Sequence, residues 1–191
     1  MPKDLQKTYN LYLSNLDGKI AVITTPFVKL DCFYIKFDIL QLPHLLGLHK
    51  IYNDSPKIIC QKLKNEAITY KHLQRHRNFG LIKDRVELFE FILEIFLEGY
   101  NDSVIYVSEA DRFGSSMKLD IAFSHPHKNK TLTLGLREIS NCVYTPVTFY
   151  VSKSNRPIFP KSKRAKILTL EILHLIYKCL EINFRTISSA G

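Results

Sequence analysis

The 191-residue chain carries 27 Lys and Arg against 18 Asp and Glu, a formal charge of +9, with 46% apolar and 24% charged residues. That balance suits one globular domain with a full core, and the positive surplus points to an anionic partner such as nucleic acid, an acidic protein or a membrane surface. No run approaches the ~18 apolar residues of a membrane helix, the N-terminal MPKDLQKTYN holds no leader core, and the scattered Cys32, Cys60, Cys142 and Cys179 form no CxxC pair. A reduced, cytoplasmic protein without a zinc ribbon or disulfide framework is expected.

The first half, 1–100, reads as mainly helical. Leu5, Tyr9, Tyr12, Leu13 and Leu16 recur at helical spacing, and Asp17-Gly18 ends that helix. Residues 19–25 and 32–37 are β-branched and aromatic, and read as two short strands. The segment 40–49 reads as a short helix or turn. Ser55-Pro56 supplies a cap and a first-turn proline for a helix over 57–67. The spacing over 81–97 predicts one long helix, with Glu87, Glu90, Glu94 and Glu98 as its wet stripe and Gly99 as its stop.

The second half, 101–191, reads as strands over 104–108, 117–124, 131–137 and 143–151, with turns at 113–114, 126–129 and 140–141. Connections this short leave no room for crossover helices, so an antiparallel sheet is expected. The run 165–184 fits either a last strand over 167–172 or an amphipathic helix. The expectation is a single α+β domain: N-terminal helices packed on a twisted antiparallel sheet of four to five strands.

Two basic runs stand out. Lys57, Lys62, Lys64, Lys71, Arg75, Arg77, Lys83 and Arg85 face only Glu66 and Asp84. Lys153, Arg156, Lys161, Lys163, Arg164 and Lys166 face no acid in their run. Such runs attract a phosphate backbone, although either alone is equally a solvated face. His72 and His76 are four apart on an expected helix but lack further ligands at metal spacing. His125 and His127 flank Pro126 in an expected turn, and His174 sits in an apolar stretch. His44 and His49 bracket Leu45-Leu46-Gly47-Leu48, where an imidazole beside an anchored turn suits acid or base work, or simple capping. No carboxylate cluster with a Glu-x-Lys follows Asp120, and there is no GxxxxGK[ST], GxGxxG or GxSxG. No metal and no cofactor is expected.

The segment Phe37-Asp38 followed by Leu42-Pro43-His44-Leu45-Leu46-Gly47-Leu48-His49-Lys50 resembles the "F…HLxGL" signature of phage-associated nucleases of the barnase–EndoU–colicin–RelE superfamily. Ile82 to Phe89, Lys118-Leu119-Asp120-Ile121 and Leu134-Gly135-Leu136-Arg137 resemble further family elements in order. Tyr144-Thr145-Pro146-Val147-Thr148-Phe149-Tyr150 resembles the closing "Y-x-P-x-[ST]-F" strand. The resemblance covers about residues 20–155.

It implies a metal-independent endoribonuclease of toxin or phage-conflict type, cutting RNA by 2′-hydroxyl attack. His44 and His49 are then the expected proton-transfer pair, with Thr148 and Tyr150 on one strand face beside the phosphate. Lys50, Arg137, Lys118, Arg156, Lys163 and Arg164 are the expected phosphate or RNA cations. RNA, with tRNA as a candidate, and a cognate antitoxin or immunity protein are the expected partners, with no membrane. The alternatives are a non-catalytic nucleic-acid-binding phage accessory protein and a module for an acidic protein partner.

Overall fold

A computed structural model describes residues 4–99, 102–113, 117–153 and 158–174. Helix α1, Leu5–Asn15, begins where the Asp4 carboxylate accepts the Lys7 N–H, and it buries Leu5, Tyr9 and Tyr12. Strands β1 (Lys19–Thr24) and β2 (Cys32–Lys36) form an antiparallel pair. Helices α2 (Leu42–Leu45), α3 (Pro56–Lys64) and α4 (Tyr70–Gln74) follow. Ser55 caps α3 through the Ile58 N–H, with Pro56 in its first turn.

The stretch expected as one helix over 81–97 is two: α5, Lys83–Glu87, and α6, Glu90–Leu97. The chain turns at Leu88-Phe89, which buries Phe89, and the Glu87 carboxylate accepts the Tyr70 hydroxyl rather than joining a wet stripe. Helix α6 is buried along Phe91, Ile92, Leu93, Ile95 and Phe96. Strand β3 (Ser103–Tyr106), helix α7 (Glu109–Phe113), then β4 (Ile121–His127), β5 (Lys130–Ser140) and β6 (Val143–Ser152) complete the middle of the chain.

The α+β class stands, but the sheet has eight strands, not four or five, in the order β7-β3-β4-β5-β6-β2-β1-β8. The expected purely antiparallel sheet is also corrected: β2 and β6 run parallel through Tyr34↔Val143 and Ile35↔Tyr144. The four helices α3 to α6 lie in the long stretch between those two strands, which gives the crossover that parallel pairing needs. Strands β7 (Lys163–Lys166) and β8 (Thr169–His174) replace the helix considered for 165–184; its residues 175–184 lie outside the described residues.

Strands β7 and β8 occupy opposite ends of the strand order, yet only Ile167 and Leu168 separate them. The three Cα steps from Lys166 to Thr169 span at most ~11 Å, so the sheet curls until its ends approach. Ile167 N–H donates to the Asp102 carbonyl and Leu168 N–H to the Thr24 carbonyl, tying the joint to both ends. The main core joins the helices to one face through Phe33, Ile35, Phe123, Leu134 and Phe149. On the reverse face of β3 to β6, a smaller cluster gathers Ile105, Leu119, Ala122 and Phe159 with Val147 and Tyr150.

Candidate active site at the open edge of strand β6

Strand β6 loses its β2 neighbour after Tyr144, and α2 packs against the strand beyond that point. Gln41, just before α2, makes the join. Its Nε2 donates to Thr145 Oγ1 at 2.5 Å, while its Oε1 accepts the buried Tyr12 hydroxyl at 3.1 Å. Asp38 caps the turn leading into α2, and Pro43 lies in its first turn. Leu42, Leu45, Leu46 and Leu48 are fully buried, so the element is anchored and the His44 ring is left exposed at the strand edge.

Gly47 follows α2 with φ +78°, a conformation that favours glycine. A Cβ there would lie 2.8 Å from Ile82 Cγ2 and 3.2 Å from Arg85 Cδ. Close approach at Gly47 thus brings the Arg85 stem from α5 against the turn that carries His44 and His49. The two imidazoles stack, with ring centroids 4.2 Å apart and planes 13° apart.

His44, Arg137 and Thr148 line one cleft of about 550 Å³, together with Gln41, Met117 and Thr145. Thr148 reaches it because a bulge between Gly135 and Leu136 sets Gly135 opposite Thr148 and Leu136 opposite Pro146. Gly135 has no side chain, and Leu119 and the Thr148 methyl close over it. Arg137 Nη2 donates to the Met117 carbonyl at 3.2 Å.

Every charged group acting on the two histidines is a cation. Partial burial, then Arg85 and Lys50, push His44 below its usual range. Burial, His44, Arg85 and Lys50 push His49 down to about 4. Burial and Arg85 likewise lower Lys50. Asp84, next to Arg85 in sequence, is bound by Lys130 at 2.7 Å. Among the described residues, Arg85 has no hydrogen bond or ion pair, and no three His, Cys, Asp or Glu side chains converge as a metal site would require.

The other expected residues divide. Lys118 is exposed beside Met117, with φ +40°, and precedes β4 rather than lying on the expected strand 117–124. Tyr150 shares the Thr148 face but packs into the reverse-face cluster with its hydroxyl buried, away from the cleft lining. Lys163 lines a separate cleft, and Arg164 is exposed on β7. Arg156 lies outside the described residues. His125 and His127 are on β4, not in a turn, and His125 packs near the Phe91 ring. His76 lies beyond α4 and not on one helix with His72; its Nδ1 accepts the Asn78 N–H. Arg85 was legible only as one member of a basic run; its place against Gly47 arises from packing between distant segments.

His44 shares this cleft with Arg137 and stacks on His49, with Arg85 and Lys50 acting on both rings, so groups able to move protons and to hold an anion lie close together in a curled α+β fold. The model of the family described as phage-Barnase-EndoU-ColicinE5/D-RelE like nuclease4, PBECR4, matches residues 4–173, and the chain belongs to that nuclease family. No curated protein and no solved structure matches the chain.

Proposed function

We propose that this nuclease is an endoribonuclease that cuts RNA without a metal ion, by attack of a 2′-hydroxyl on the adjacent phosphate. The stacked His44–His49 pair beside a cleft holding Arg137 and Thr148 carries this reading. Two imidazoles this close resist carrying two protons, and with both held below their usual range the pair carries its single proton only on the acid side of neutrality. The singly protonated pair contains both groups the reaction needs: a neutral ring to take the 2′-hydroxyl proton and a protonated ring to give one to the departing 5′-oxygen. Arg137, Lys50 and Arg85 would hold the phosphate and its transition-state charge, and the Thr148 hydroxyl would orient a phosphate oxygen. Tyr150 supports the strand behind Thr148.

The reading extends to a cytoplasmic effector of toxin or phage-conflict type, held in check by an antitoxin or immunity protein, with tRNA among its candidate substrates. Incubation with total RNA and tRNA in EDTA, followed by mapping of the ends, tests it. Fragments with 2′,3′-cyclic phosphate ends are expected. Cleavage that stops on chelation and returns with Mg²⁺ contradicts the metal-free route.

A further inference from the structure

A second cleft, of about 390 Å³, lies apart from the histidines. Phe27 and Lys29, in the turn between β1 and β2, meet Tyr106 at the end of β3, Arg112 on α7, and Lys161 and Lys163 at β7. The Phe27 and Tyr106 rings pack edge to face at 5.6 Å, and Lys29 Nζ stands 5.8 Å from the Tyr106 ring centroid. Two large apolar side chains project close by in sequence: Val28 is 86% exposed and Phe113, on the same helix as Arg112, is 98% exposed. Neither contributes to the core.

Glu109 also lines the cleft and is exposed, while the acids behind it are engaged. Asp111 accepts the Lys161 N–H and the Ser162 hydroxyl. Asp120 pairs through Oδ1 with Arg112 at 2.5 Å, and its Oδ2 accepts the Glu138 N–H at 2.7 Å. Glu138 follows Arg137, which lines the histidine cleft. One carboxylate therefore bonds both to Arg112 in the wall of the second cleft and to the residue next to Arg137 in the wall of the first.

We propose that the second cleft binds unpaired nucleotides flanking the cut position of single-stranded RNA. Its aromatic faces would receive bases, and Lys29, Lys161 and Lys163 would receive phosphates. This inference rests on the RNA reading above. Cations interleaved with aromatic rings are the pattern that single strands require, because each unstacked base offers a π-face and each linkage a charge. A duplex keeps its base faces covered and would leave Phe113 and Tyr106 without use.

The test compares wild type with the double variant Lys29→Glu/Phe113→Ala on two substrates, a dinucleotide and an unstructured RNA of about twelve nucleotides. Both side chains are exposed, so the fold should persist, and an unchanged Tm checks it. The ratio of kcat/KM for the long over the short substrate should fall at least about tenfold, mostly through KM, with a shallower salt dependence for the long RNA. An unmoved ratio in a folded variant overturns the site and leaves the patch to a protein partner. Failure of the wild type to cut either RNA overturns the ribonuclease reading itself, a separate outcome.

Discussion

The His44 ring lies almost parallel to the His49 ring, their centroids 4.2 Å apart, with Arg85 and Lys50 acting on both. The arrangement sets the proton affinity of the pair before any substrate arrives. Because both histidines titrate below their usual value, the free enzyme loses the last proton of the pair below about pH 6.5. On the proposed mechanism kcat/KM should therefore peak on the acid side of neutrality and fall towards pH 8, as a pH–rate profile on a dinucleotide would record. A profile that rises to pH 9 contradicts the pair as acid and base.

The same shifts act on stability. The folded-state affinity for protons is lower than that of unfolded histidine, so the unfolded chain binds more protons between about pH 6.5 and 4. Stability contributed by the neutral rings is present above pH 6.5 and is lost as pH falls through that window. His49→Asn should flatten this loss in urea melts taken at several pH values. An unchanged slope would mean the imidazoles are not held neutral.

Replacing His44 by Ala should cost about 10²–10⁴-fold in RNA cleavage, the usual worth of a general acid or base. The fold should survive, because His44 is exposed while its leucine neighbours hold the turn. His125→Ala, by contrast, removes a ring packed near Phe91 and should affect stability more than cleavage. Comparing activity and Tm of the two variants separates these effects.

Arg85→Gln removes a cation acting on both histidines. Their titration should move up in pH, visible in the imidazole proton resonances, and KM should rise as a phosphate contact is lost. A downward shift, or none, would place Arg85 away from the pair.

Gln41→Leu leaves the fully buried Tyr12 hydroxyl without its acceptor and frees Thr145 from α2. A loss of about 1–3 kcal/mol is expected from the unsatisfied group, measured by denaturant melts. The drop in kcat should exceed what lost folding explains, because the turn that carries His44 loses its tie to β6.

Local chemistry made part of this structure readable in advance. The Gly18, Ser55 and Gly99 boundaries follow from capping and turn preferences, and β1, β2, β5 and β6 follow from β-branched runs. The ordered motifs around His44 and Thr148 led to the two elements that form the cleft. The misses are non-local. Pairing of Thr169–His174 with β1 joins segments at opposite ends of the chain, and no periodicity reports such a partner. The break at Leu88-Phe89 has neither proline nor glycine to mark it; burial of Phe89 and the Tyr70–Glu87 bond set it through tertiary contact. Tyr150 obeys strand alternation with Thr148 yet misses the cleft, because the reverse-face cluster covers its position.

In the proposed reaction the RNA's own 2′-hydroxyl is the nucleophile. An oligonucleotide with a single 2′-deoxyribose on the 5′ side of a mapped cut tests it most directly, with every other position left as RNA. The enzyme should bind this substrate and leave that bond intact while cutting the all-ribose control. Cleavage at the deoxyribose position, at a rate near the control, would contradict the account.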